Sequence, residues 1–112
     1  YMRDNNKGGA LTETTFLVLL AAYKPNHGYG IMQFIERETD GRVVLGAGTL
    51  YGAINTLVER KWIAPHGNET DSRRKEYIIT DVGKQIAERE RERLRAILKL
   101  AEFVVEGAEP NE

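Results

Sequence analysis

Gly48-Thr49-Leu50-Tyr51-Gly52-Ala53-Ile54-Asn55-Thr56-Leu57-Val58-Glu59-Arg60-Lys61-Trp62-Ile63 is the stretch whose reading decides the fold. Leu50, Ile54, Leu57 and Val58 recur at helical spacing and would face a core. Thr49, Tyr51, Gly52, Asn55 and Thr56 sit largely off that stripe and bring hydroxyls, an amide and little bulk. A helix that is apolar behind and small or hydrogen-bonding in front suits a DNA major groove, where asparagine can bond adenine and threonine a thymine methyl or a phosphate.

Downstream, Trp62-Ile63-Ala64 reads as a strand ending at Pro65, and Glu76-Tyr77-Ile78-Ile79-Thr80 as its partner. The turn between them contains Gly67-Asn68-Glu69-Thr70-Asp71-Ser72 and ends in Arg73, Arg74 and Lys75. A helix followed at once by a basic hairpin is the plan of a winged helix-turn-helix. The three cations then read as a wing that holds phosphates or enters the minor groove.

The flanking segments fit that plan. Thr12 is a plausible N-cap for a first helix over about residues 12–23, and Phe16, Leu17, Val18, Leu19, Leu20, Ala21 and Ala22 make it apolar nearly all round. Such a helix needs burial on more than one side. A second helix spans about residues 29–39, after the turn Lys24-Pro25-Asn26-His27-Gly28, with Asp40-Gly41 ending it. Tyr29 reads as packing between helices with its hydroxyl bonded, and the glycines around it as permitting a tight turn, with a phosphate contact by His27 at the second helix start as the alternative. Val43-Val44-Leu45 is a short strand or an extended connector. The last helix starts near Asp81, capped by Thr80 or Asp81, and runs to about Glu106. Its stripe of Ile86, Glu90, Leu94, Ile97, Leu98, Ala101, Val104 and Val105 is broken by the alternating charges of residues 88–93. A charged middle and an apolar distal half predict a second copy as partner. The expected dimer interface is Phe16, Leu19, Leu20, Leu94, Ile97, Leu98, Ala101, Val104 and Val105.

The chain has 112 residues and a formal net charge of −1, which favours one domain. Residues 42–80 carry six basic and four acidic side chains, whereas residues 81–112 carry six and eight. Positive charge therefore gathers where the helix and wing lie. There is no cysteine and there are two histidines, His27 and His66, so thiolate chemistry is excluded and no metal or other cofactor is expected. No catalytic grouping is visible, and the expectation is a non-enzyme. With no apolar run of membrane-spanning length and no signal peptide, a cytoplasmic protein without a membrane partner is expected. Met2 reads as the natural start.

The fold class expected is mainly α with a small β-hairpin wing. Residues 1–10 form a flexible N-terminal segment, 11–80 a winged helix-turn-helix, 81–107 a long C-terminal dimerisation helix and 108–112 a tail. At His27-Gly28-Tyr29-Gly30-Ile31, Gly48-Thr49-Leu50-Tyr51, Leu57-Val58-Glu59, Arg74, Glu76-Tyr77 and Ile79-Thr80-Asp81-Val82-Gly83 the chain resembles the PadR-like transcriptional regulators in their short form. Together these pieces span about residues 11–100. The resemblance implies a homodimer on a pseudo-palindromic double-stranded operator, usually as a repressor, with binding loosened by a small-molecule effector or a stress signal. Gly52 stands where family members often carry proline, and Gly46 where they often carry a serine cap. Some relatives bind flat drugs between C-terminal tryptophans. Here the sole tryptophan is Trp62, so that mode does not carry over.

The expected DNA-contacting set is Thr49, Tyr51, Gly52, Asn55, Thr56, Arg73, Arg74 and Lys75. Phe16, Leu20, Tyr23 and Phe103 could line an effector pocket, although a packed interface is the simpler account of them. Two other readings of the whole chain compete: a winged-helix module for protein assembly, and a small-molecule sensor with no DNA target.

Overall fold

The computed structural model describes residues 9–68, 70, 71 and 74–107. Its elements are α1 (Glu13–Ala21), β1 (Asn26–His27), α2 (Gly28–Glu38), α3 (Ala47–Glu59), β2 (Ile63–His66), β3 (Glu76–Ile79) and α4 (Asp81–Val105). Thr12 caps α1 by accepting from the Thr15 N–H at 3.1 Å. Val18, Leu19, Ile31, Ile35, Leu50, Ile54, Leu57 and Ile63 are fully buried and bring α1, α2, α3 and β2 onto one core. This is a winged helix-turn-helix carrying a long C-terminal helix. Val43 and Val44 are connector rather than strand, with only Leu45 buried.

The sheet has three strands, in the order β1-β3-β2 and antiparallel throughout. The hairpin expected from the sequence accounts for two of them. The additional strand is the two residues Asn26 and His27, pairing with Tyr77 and Glu76. β2 also differs: it begins at Ile63 rather than Trp62 and runs on through Pro65 to His66. Proline is tolerated there because β2 is an edge strand.

The junction of α3, the sheet and α4 is tightly tied. Lys61 adopts a left-handed φ of 64°, and the Trp62 N–H reaches back to the Leu57 carbonyl at 3.0 Å, which closes α3. Thr80 donates its hydroxyl to the Lys61 carbonyl at 2.6 Å and caps α4 by accepting from the Gly83 N–H at 3.0 Å. The Ile79 N–H bonds the Ala22 carbonyl at 2.8 Å, which joins the sheet to the end of α1.

Only the first part of α4 is docked. Gly83, Ala87 and Glu90 are its buried positions, whereas Leu94, Ile97, Leu98, Leu100, Phe103, Val104 and Val105 are exposed. The long axis of the chain measures 57 Å against 30 and 25 Å for the others.

Glu90 looks like one member of an alternating charge run, yet it is only 4% exposed. The start of the first helical segment covers it, and the Leu11 N–H donates to its Oε1 at 3.3 Å. Arg93 donates to both carboxylate oxygens, at 2.9 and 2.6 Å. The Arg93 hydrogen bonds, helped by the Leu11 N–H and opposed by burial, hold this carboxyl below its ordinary range. A depressed folded-state value means that the pair's stabilisation is complete above the usual carboxylate range and is lost as pH falls through the folded value. Glu90→Ala is expected to cost about 2 kcal/mol at neutral pH, because Arg93 and the Leu11 N–H lose their acceptor. Urea unfolding at neutral and acid pH measures this, with the difference between parent and variant shrinking in acid.

Candidate nucleic-acid interface

α3 presents two faces, as the spacing requires. Leu50, Ile54 and Leu57 are buried, whereas Thr49, Gly52, Asn55 and Thr56 are exposed. A Cβ placed on Gly48 or Gly52 would meet nothing within 4 Å, so the outer face stays low over about two turns. Gly46 caps the helix without a side-chain hydrogen bond. The first-turn N–H groups, at the positive end of the helix dipole, are thus left to an acceptor from outside, such as a phosphate.

Tyr51 is built differently from its neighbours. It is half-buried, and a Cβ at Gly28 would lie 2.2 Å from its phenolic oxygen. A glycine at position 28 is what lets α2 and α3 approach this closely. The Tyr51 phenol also acts on buried Tyr77. Burial first, and then Tyr51, pushes the Tyr77 phenol above its ordinary value. Tyr51 therefore braces α2, α3 and β3 while standing at the edge of the exposed face.

At the wing, Arg74 is exposed and its N–H bonds the Asp71 carbonyl at 2.9 Å. Lys75 is half-buried beside the foot of β3. Arg73 lies outside the described residues. Arg60 stacks over the Trp62 ring at 5.2 Å, so this cation is engaged within the domain.

One expectation needs correction at the start of α2, and one residue has a further role there. Tyr29 is 61% exposed rather than packed between helices. The helix begins at Gly28, and its buried positions fall at Gly28, Ile31 and Ile35, which rotates Tyr29 outward. His27 is the N-cap, its Nδ1 accepting from the Gly30 N–H at 2.9 Å. Histidine is not among the residues that usually signal a cap, and so the sequence offered no cue.

The residues assigned to a subunit contact are mostly on the surface, with one exception. Leu19 is fully buried in the domain core, while adjacent Leu20 is 36% exposed. An all-round apolar helix does not reveal which side meets its own domain. Leu11, Phe16, Leu17, Leu20 and Leu94, with Glu13, Glu90 and Arg93, line a cleft of about 320 Å³ between α1 and α4. Phe16 and Leu20 of the expected effector residues are in it. Tyr23 is not among its lining residues, and Phe103 lines a separate hollow with Ala96, Lys99 and Leu100. Glu13, at the rim of the cleft, accepts from both Arg42 guanidinium nitrogens, from Nη1 at 3.2 Å and also from Nη2. This pins the connector before α3 to the first turn of α1.

Among the described residues no group of three histidine, aspartate or glutamate side chains could hold a metal ion. No described helix is long and apolar enough to cross a membrane.

A trihelical core, an exposed small-residue helix and an adjacent basic wing define a DNA-binding transcription regulator of the winged helix-turn-helix class. The profile of the transcriptional regulator PadR-like family matches residues 16–89, and the chain belongs to that family. A solved PadR family transcription regulator from Clostridium difficile is 26% identical, covering 82% of this chain and 97% of its own, with a TM-score of 0.68. A transcriptional regulator from Clostridium thermocellum is 27% identical over 80% of this chain and 89% of its own, with a TM-score of 0.67. The adhesin competence repressor from Streptococcus pyogenes, at 17% identity over 90% and 69% of the two chains and a TM-score of 0.59, shares the fold. No curated protein matches the chain.

Proposed function

We propose that the protein is a homodimeric repressor that binds a pseudo-palindromic operator and is released by a small-molecule effector. The observation that carries the DNA reading is the outer face of α3. It exposes Thr49, Gly52, Asn55 and Thr56, opens at Gly46 without a side-chain cap, and is followed in the chain by a wing that exposes Arg74. Each subunit lays α3 in a major groove and sets the wing on the neighbouring backbone. Two-fold symmetry puts the half-sites about one helical turn, roughly 34–36 Å, apart. The free apolar stripe of distal α4 supports the dimer, and family membership supports repression. The cleft between α1 and α4 supports an effector, since it is apolar and close to both Glu13 and the dimerisation stripe.

The test is fluorescence anisotropy on the DNA upstream of the gene against a scrambled duplex, over a salt series. Selective binding with a steep salt slope is expected. Equal weak binding to both duplexes would favour the protein-assembly alternative. Within that assay, Arg74→Ala is expected to weaken binding to every sequence and to lower the salt slope by about one for each phosphate that the arginine neutralises. Asn55→Ala is expected to relax preference at one base pair of each half-site by about 1–3 kcal/mol. An unchanged slope would mean that Arg74 touches no phosphate, and uniform weakening would remove Asn55 from base readout.

A further inference from the structure

The strand register gathers both histidines of the chain around one carboxylate. Glu76 of β3 pairs with His27 of β1 on one side and with His66 of β2 on the other. Directly opposed residues on neighbouring strands point to the same face, with Cβ atoms about 5 Å apart. That face is the outer one, since Tyr77 and Ile79 take the alternate, buried positions of β3. One end of the row adjoins Gly28, on which Tyr51 of α3 packs. The other end leads directly into the wing turn. The row thus bridges the ground between the recognition helix and the wing.

The two histidines differ in what they can donate. The His27 Nδ1 is occupied as the α2 cap, so the neutral ring carries its proton on Nε2 and offers it as a fixed donor. Protonating Nδ1 would break the cap. His66 is exposed, and neither it nor Glu76 has a side-chain hydrogen bond or ion pair among the described residues. Glu76 opposes a phosphate unless a cation stands beside it. The other charged or titratable groups near the row are Lys24 before β1, Tyr29 on α2, Tyr51 on α3, Tyr77 on β3, and Asp71, Arg74 and Lys75 in the wing.

We propose that the His27–Glu76–His66 row is a proton-dependent contact for the DNA phosphate backbone, with His27 as a fixed neutral donor and His66 as the group that takes up a proton on binding. The proposal rests on the reading that the wing faces DNA. A phosphate held beside the ring in the complex favours the charged imidazole. Affinity then rises as pH falls through the histidine range and declines above it. With a net charge of −1, one added proton per subunit is a large relative change.

The probe is a labelled duplex of random sequence at constant low salt, titrated with the full chain at about pH 8 and about pH 6. The parent is expected to bind about tenfold more tightly at the lower pH. His66→Gln is expected to lose that difference. His27→Asn keeps a capping acceptor but not the ring donor, and is expected to weaken binding equally at both pH values. Glu76→Gln is expected to tighten binding at the higher pH and flatten the profile. A parent that binds equally at both pH values overturns the proposal, as does a His66→Gln variant with the full pH response. Either result leaves DNA binding itself intact. A parent that binds no duplex at either pH overturns the DNA reading and this contact together.

Discussion

Gly83→Ala is expected to be among the most destabilising single-methyl changes available to this chain. A Cβ at position 83 would lie 2.1 Å from the Trp62 carbonyl oxygen and 2.7 Å from Ile79 Cγ1. The oxygen belongs to the backbone and is itself held, accepting from the Thr80 N–H at 3.0 Å and the Thr80 hydroxyl at 3.1 Å. It has nowhere to retreat. The first turn of α4 must lift away, taking the Thr80 cap and the docking of Ala87 with it. Alanine's better helix propensity offsets about 1 kcal/mol, and the net cost is expected to be about 3 kcal/mol. Urea denaturation at fixed protomer concentration measures it, with Gly48→Ala as the control. Position 48 opens onto empty space, and alanine there should be neutral or stabilising by up to about 1 kcal/mol. A Gly83→Ala midpoint equal to the parent's would show that α4 can pack at a greater distance from Trp62.

The second large effect concerns the proposed dimer. Leu98→Glu places a carboxylate in the exposed stripe shared with Leu94, Ile97 and Val105. Leu98 itself is 59% exposed and lies beyond the cleft that Leu94 shares with α1, so the folded monomer should be unaffected, as circular dichroism would record. Sedimentation should then report monomers. Operator affinity should fall by about 100-fold or more, because the second half-site is no longer held at high effective concentration. A Leu98→Glu protein that sediments as a dimer would relocate the subunit contact away from distal α4. A monomer with undiminished operator affinity would show that one α3 and one wing suffice.

What sequence could reveal followed from how local each feature is. Thr12 and Thr80 marked their helix starts because a hydroxyl cap acts within three residues. The two faces of α3 were legible because helical period sorts Leu50, Ile54 and Leu57 from Thr49, Asn55 and Thr56. β1 was not legible, since two residues have no period and their pairing depends on β3 some fifty residues later. The same gap hid the histidine row, whose members come together only through register. Leu19 was misjudged, and the pairing that buries Glu90 went unseen, for a related reason. Which side of an apolar or charged helix is covered depends on a distant segment, here residue Leu11 for Glu90 and the assembled core for Leu19.

Glu90 is also the last buried residue along α4, and this gives the helix a mechanical character. Everything before it is fastened to the domain core, and the fifteen residues from Arg91 to Val105 continue beyond it as one helix. At 1.5 Å per residue the projecting arm is about 22 Å long, so a tilt of about 10° at this pivot moves its tip by about 4 Å. In the proposed dimer, the spacing between the two copies of α3 would follow the tilt of these arms at the Glu90–Arg93 anchor.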